Sequence, residues 1–275
     1  MFTFNVAKTG KVLVNSHRGD CIRCPENTMP AFISAVERNT SCIEIDIAMT
    51  ADEELVVIHD PSVNRTSNGC GYVEQMTLAE LEALDFGSWF HSSFESTPIP
   101  KFNAVLEWAI EHDVGLIVEV KQRRNHHRFA EKFAELIEHT PNSSAYIQLL
   151  GFDHTVINLV KTRLPDIQLQ AVTLARYQNQ LNAVLESNAS AVCVEYPYTT
   201  RSVLEDYKNS GLVTRLYLPN KDKNMKPTQW LNQYYGYDVH SDIIQWLREG
   251  LIDMISHDDI DMLKELVQEA GMEAI

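Results

Sequence analysis

Five cysteines, Cys21, Cys24, Cys42, Cys70 and Cys193, are too few and too odd in number for a disulfide framework, so a reducing compartment is expected. Cys21 and Cys24 are spaced like half of a zinc site, but no second pair or suitable histidine spacing accompanies them. No run approaches the roughly 20 apolar residues of a membrane span. The opening MFTFNVAKTGK lacks the apolar stretch of a secretion signal, so the expectation is a cytoplasmic protein with no integral membrane segment. Positive charge is scarce: 23 Lys and Arg against 38 Asp and Glu leave a formal net charge of -15. That balance argues against nucleic acid or anionic lipid as partner, because such binding needs clustered cations that displace counterions. An anionic ligand must therefore be met by local positive groups. Internal repeats and low-complexity segments are absent as well.

With 44% hydrophobic and 22% charged residues, the chain has the make-up of a globular protein with a sizeable core. Short β-rich runs alternate with amphipathic stretches from Val12 onward. The predicted strands are Lys11 to Ser16, Cys42 to Ala48, Gly115 to Lys121, Ala145 to Leu150, Ile167 to Thr173, Ala191 to Glu195, Val213 to Leu218 and Ile252 to Ser256. Between them lie helical patterns such as Phe102 to His112, Arg128 to His139 and Ile260 to Ala270. Eight strands in strict alternation with helices predict an α/β protein, a (β/α)8 TIM barrel, with residues 1–275 as one catalytic domain.

One interval breaks the rhythm. Asp60 to Pro100 contains the turn-rich Ser67-Asn68-Gly69-Cys70-Gly71, a short helix signal from Thr77 to Leu84, and the aromatics Trp89, Phe90 and Phe94. Thr77 with Glu80 three residues on is a capping box. The interval is too small for an independent core, so it reads as an insertion between the second strand and its helix. A second stretch, Pro219 to Asp238, reads as irregular and carries Trp230, Tyr234, Tyr235 and Tyr237.

In such a barrel the C-terminal strand ends converge on one face, and chemistry belongs there. The first strand runs out at Ser16-His17-Arg18-Gly19, the second carries Glu44-Ile45-Asp46 and the third Glu119-Val120-Lys121. Residues at i and i+2 of a strand share a face, so Glu44 pairs with Asp46 and Glu119 with Lys121. Three carboxylates crowded together call for a cation, and an all-oxygen set suits one divalent Mg2+ or Ca2+; the alternative is simple ion pairing with Arg18 and Lys121. His59 ends the apolar run Leu55-Val56-Val57-Ile58. With His17 it makes two imidazoles, one to accept a proton from a nucleophile and one to donate to a leaving alkoxide. Arg18 offers a planar fork and Lys121 a point charge to phosphate oxygens, which together form the equipment of phosphodiester cleavage. Glu195, at the end of the sixth strand, is placed to meet a polar substrate group.

These residues lie in stretches that resemble the glycerophosphodiester phosphodiesterase family: His17-Arg18-Gly19, Pro25-Glu26-Asn27-Thr28, Glu44-Ile45-Asp46, Thr50-Ala51-Asp52, His59-Asp60-Pro61, Arg65-Thr66 and Glu119-Val120-Lys121. The resemblance implies a barrel, a divalent metal on Glu44, Asp46 and Glu119, acid-base catalysis by His17 and His59, and phosphate binding by Arg18 and Lys121. Asn27 is expected to orient the ligand, and Glu26 to fix its loop, the metal surroundings or the first turn of the helix. The implied reaction is hydrolysis of a glycerophosphodiester to glycerol phosphate and an alcohol. The alternatives are a lyase that stops at a cyclic phosphate, as related phospholipase D toxins do, or a barrel that only binds phosphodiesters. The resemblance also marks residues 60–100 as the family's insertion over the barrel mouth. It thins toward the C-terminus, where Gly151-Phe152-Asp153 stands for Ser-Phe-Asp, Tyr217-Leu218-Pro219-Asn220 for Trp-Thr-Val-Asn, and His257-Asp258-Asp259-Ile260 for Thr-Asp-x-Pro.

Overall fold

The computed structural model describes residues 2–219, 222 and 225–275. Its elements follow in the order β1 (Lys11–His17), α1 (Met29–Glu37), β2 (Cys42–Met49), β3 (Leu55–Val57), α2 (Leu78–Glu82), α3 (Phe102–Glu111), β4 (Gly115–Val120), α4 (His126–His139), β5 (Ile147–Gly151), α5 (His154–Arg163), β6 (Gln168–Thr173), α6 (Gln180–Leu185), β7 (Ala191–Glu195), α7 (Arg201–Asn209), β8 (Val213–Tyr217), α8 (Pro227–Tyr235), α9 (Val239–Arg248), β9 (Met254–His257), α10 (Ile260–Glu269) and β10 (Glu273–Ala274). Strands β1, β2, β4, β5, β6, β7, β8 and β9 pair in parallel, and β9 returns to β1, closing an eight-stranded barrel with helices between the strands.

The alternation of side chains across each strand builds two cores. Val12, Val14, Ile43, Ile45, Leu116 and Val118 face outward and pack under the helices with Phe32, Phe102, Phe129 and Phe133. Leu13, Cys42, Ile117, Ala191, Val213 and Met254 belong to a second, inner cluster, which Phe4 and Val6 join. The N-terminal segment is fastened by Asp253, whose carboxylate accepts from the Val6 and Ala7 amides at 3.0 and 2.8 Å and pairs with the buried Lys208. Helix starts are marked where short polar side chains satisfy free amides: Asp153 for α5, Asp238 for α9, Asp259 for α10 and the Thr77–Glu80 box for α2.

Three features depart from the sequence expectation. Leu55–Val57 is a strand, β3, but it folds back antiparallel on β2 outside the barrel. A two-residue β10 pairs with β1. The stretch Pro219 to Asp238 is not wholly irregular, because α8 occupies Pro227–Tyr235. Pro227 stands at the first turn of that helix, where its missing N–H costs nothing. Between β3 and α3 the chain makes the expected excursion, with a small apolar cluster of Val56, Ile58, Val63, Val73, Leu81, Phe86 and Ile99. Trp89, Phe90 and Phe94 pack edge-to-face on one another.

Candidate active site

A pocket of about 200 Å³ opens at the C-terminal ends of the strands, lined by His17, Arg18, Glu44, His59, Glu119 and Lys121 on one side. Register explains the meeting: His17 lies beside Glu44 on β1 and β2, and Asp46 beside Glu119 on β2 and β4. Carboxylate oxygens of Glu44, Asp46 and Glu119 all fall within 4.8 Å of one another, and all three residues are buried. Burial and the neighbouring Asp46 push the Glu44 carboxyl up to about 7. Burial pushes Asp46 the same way, but Lys121 and Arg18 outweigh it and hold that carboxyl below its ordinary value.

The ion pairs weighed from sequence are present. Lys121 Nζ is 3.3 Å from Asp46 Oδ1 and hydrogen-bonds Glu119, while Arg18 Nε is 3.4 Å from Asp46 Oδ2. They leave Glu44 apart. It accepts the Arg18 backbone amide at 3.1 Å and lies 3.9 Å from His17 Nε2, with no Lys or Arg at ion-pair distance among the described residues. Asp46 Oδ1 is buried and lacks a hydrogen-bond partner among the described residues. A buried Asp46 oxygen with an ammonium at 3.3 Å but no hydrogen bond, beside a Glu44 carboxylate with no Lys or Arg at ion-pair distance among the described residues, leaves room for a further cation.

Each imidazole is tethered through Nδ1 to its own aspartate, His17 to Asp258 at 2.6 Å and His59 to Asp60 at 2.7 Å. A carboxylate that accepts from Nδ1 fixes the tautomer and leaves Nε2 for the pocket. Burial acts to lower the His17 imidazole, but Glu44 and the Asp258 hydrogen bond prevail and hold it above its ordinary value. Burial in turn works to raise Asp258, and the bond from His17 outweighs it, leaving that carboxyl at about 2. Asp258 was quoted above only as a variation on a family pattern. Its signal was its position, one residue beyond the last barrel strand, at the mouth.

The backbone of the first loop is held in a costly shape. Arg18 and Asn27 both have positive φ, 60° and 55°, a region that side chains with a Cβ seldom enter. Gly19 follows at φ 82°, where a Cβ would stand 2.8 Å from the Ala31 Cβ and 2.9 Å from its carbonyl carbon. Asn27 points to Asp46: its amide nitrogen donates to Oδ2 at 2.7 Å, and its oxygen receives the Asp46 backbone N–H at 3.3 Å. Glu26 bridges Arg18 and Arg65, and Arg65 forks onto both Glu26 and Asp60. The chain Arg18, Glu26, Arg65, Asp60, His59 thus ties the first loop to the insertion. Sequence reading had given Arg65 no role.

The other wall comes from the later strands: Leu150, Phe152, Val172, Leu174, Cys193, Val194, Glu195, Arg215 and Tyr217. Tyr217 stands edge-on to the His17 ring at 5.3 Å. Phe152 and Leu174 are exposed at the rim. Asn220, named with the late departures, lies outside the described residues.

Comparison with known proteins gives a consistent result. The profile of the Glycerophosphoryl diester phosphodiesterase family matches residues 17–262. The Bacillus subtilis protein YhdW is 31% identical over 218 residues, which span 78% of this chain and 88% of that one. A glycerophosphodiester phosphodiesterase of Caldanaerobacter subterraneus subsp. tengcongensis is 29% identical over 95% of this chain and its own full length. Among solved structures, an Oleispira antarctica phosphodiesterase in complex with the product sn-glycerol-3-phosphate superposes with a TM-score of 0.77 at 19% identity, covering 95% of this chain and 99% of that one.

Proposed function

The chain belongs to the glycerophosphoryl diester phosphodiesterase family, and from that premise we propose that it hydrolyses glycerophosphodiesters to glycerol phosphate and an alcohol. The observation that carries the reading is one pocket in which three buried carboxylates meet two imidazoles, each held by its own aspartate. The donor set of Glu44, Asp46 and Glu119 is all oxygen and fits a hard divalent cation, Mg2+ or Ca2+; an Asp46 Oδ1 buried without a hydrogen bond and a Glu44 with no Lys or Arg at ion-pair distance among the described residues support the fit. Bound there, the ion would supply Lewis-acid polarisation of the phosphate.

The chain's own residues do the rest. Arg18 and Lys121 hold phosphate oxygens and oppose the negative charge that builds on them. One histidine Nε2 takes the proton of the attacking oxygen, which is that of water or of the substrate's own glycerol hydroxyl, and the other gives a proton to the departing alkoxide, so the alcohol leaves neutral; after internal attack, water opens the cyclic phosphate to glycerol phosphate. Asn27 holds Asp46 in position rather than reaching for substrate. Glu195 and Tyr217, on the wall opposite the carboxylates, meet the hydroxyls of the glycerol or alcohol. Residues 1–275 act as one catalytic unit, with the insertion beside its mouth. The five free cysteines suit a reducing compartment and support a cytoplasmic setting.

The deciding experiment is turnover of glycerophosphocholine, glycerophosphoethanolamine and glycerophosphoglycerol with and without EDTA, for wild type, His17→Ala and His59→Ala. Hydrolysis that disappears on chelation and in both variants is the expected result. Full activity after chelation eliminates the metal role. No turnover of any diester by folded protein leaves a non-catalytic binding barrel, and a cyclic phosphate as sole product in rapid quench makes the enzyme a lyase.

A further inference from the structure

Beneath the candidate active site lies a hydrogen-bonded belt that runs round the inside of the barrel. Asn15 Nδ2 donates to Cys42 Sγ at 3.2 Å, and Ser256 Oγ donates to Asn15 Oδ1 at 2.8 Å. Arg215 Nη2 donates to Ser256 Oγ at 2.8 Å and Nη1 to Gln170 Oε1 at 3.3 Å. Gln170 Nε2 then donates to Gln148 Oε1 at 2.8 Å. These residues come from β1, β2, β9, β8, β6 and β5, so the belt crosses six of the eight barrel strands.

Its members stand two residues below the site. Asn15 precedes His17, Cys42 precedes Glu44, Arg215 precedes Tyr217, and Gln148 and Gln170 precede Leu150 and Val172, on the same inward face of each strand. The belt therefore lies one layer beneath the site, and Arg215 is its member that lines the pocket. Its one formal charge is the guanidinium of Arg215, which is 2% exposed, and its Nε has no partner among the described residues.

A buried guanidinium with no carboxylate at ion-pair distance is costly in isolation. None stands at that distance among the described residues. Glu44 presents the complementary problem one layer up, a buried carboxylate without a Lys or Arg at that range. Both side chains border the same pocket.

We propose that Arg215 is a positioning residue, the resident counter-ion of the carboxylate layer, which holds the layer together when no divalent cation is bound and competes with that cation when one is. This rests on the metal-dependent reading above. The placement of charge favours the arrangement: Lys121 pairs with Asp46 and Glu119, Arg18 is shared between Asp46 and Glu26, and Arg215 is the further cation that borders the pocket with Glu44. Loss of Arg215 makes the layer more negative by one charge in a medium where charges a few ångströms apart are weakly screened. The more negative layer attracts Mg2+ or Ca2+ more strongly.

The test uses the full chain and the variants Arg215→Met, Arg215→Lys and Gln170→Leu. Divalent-ion affinity is measured by calorimetric titration with MgCl2 or CaCl2, and Tm with and without the ion. R215M should melt lower than wild type without the ion, bind the ion on the order of tenfold or more tightly, and gain more Tm from it. R215K should stay near wild type in affinity. Q170L removes a belt hydrogen bond and keeps the charge, so it should lower Tm without changing affinity. Equal affinity in R215M and wild type overturns the proposal, as does tightening in Q170L by as much as in R215M. Should R215M fold only with the ion present, its apparent affinity is read from competition with EDTA, and the same comparison applies. A wild-type protein that takes up no ion refutes the metal reading; the cation-free Tm then judges Arg215, and R215M melting with wild type overturns its counter-ion role.

Discussion

Asp258→Asn tests whether the geometry around His17 carries catalysis. The substitution keeps size and shape and removes the charge that His17 Nδ1 meets at 2.6 Å. A hydrogen bond to a charged group contributes about 1.5–3 kcal/mol, or roughly tenfold to 150-fold in rate when the whole of it is felt at the transition state. An amide can also turn its NH2 toward Nδ1. That turn puts the imidazole proton on Nε2, the nitrogen facing the pocket, and in a serine protease the equivalent error costs about 10⁴ in kcat. The expected loss here is on the order of 10² to 10⁴ in kcat. KM should change little, because Asp258 is absent from the residues lining the site pocket. Steady-state hydrolysis of glycerophosphocholine, with circular dichroism to confirm the fold, measures it. A kcat within twofold of wild type refutes the orienting role.

Three further outcomes follow from the same contacts. Arg65→Met severs the forked link from the insertion to Glu26 and Asp60; it should lower kcat on the order of tenfold while Tm shifts by only a few degrees, as read by paired kinetics and melting. Asp253→Asn leaves the buried Lys208 without its partner and weakens the clasp on Val6 and Ala7; a loss of about 3–5 kcal/mol is expected in urea unfolding, and a loss under 1 kcal/mol argues against that clasp. Gly19→Ala places a Cβ against Ala31 at a positive φ; about 2–4 kcal/mol of destabilisation and loss of activity are expected, and a variant that melts with wild type shows that the loop can shift.

The barrel was legible because each strand is a short apolar run and each helix repeats at three or four residues, so both types of element declare themselves locally. The candidate site was legible where its residues end those strands: His17, Glu44, Asp46, Glu119 and Lys121 are brought together by register, which the strand pattern dictates. What escaped has a common cause. Asp258 reaches His17 across 241 positions, and Arg215 finds its partners 41 and 45 positions away. No local period announces such contacts. Asn27 was placed at the loop from sequence and expected to orient a ligand, and its bond to Asp46 was not legible there because the two residues lie on separate elements. The helix α8 escaped because proline signals both a break and a beginning.

The two histidines are held by opposite strategies, and this bears on how the site assembles. His59 takes its aspartate from the next residue, and Arg65 of the insertion braces that pair, so one half of the acid-base machinery forms locally. His17 waits for Asp258, which arrives only when β9 closes against β1. Loop-closure entropy makes so distant a contact late relative to a local one. The carboxylates gather earlier along the chain, on β2 and β4, and in a barrel not yet closed they lack Asp258 beside His17, while Arg215 on β8 lacks its Ser256 partner. A chain that ends before β9 should therefore keep the carboxylate ladder, the His59–Asp60 pair and Arg215, and lose the aspartate that orients His17 and the Ser256 link of the belt. Closure of the barrel is thus the step that turns an acidic cluster into a site with two oriented imidazoles.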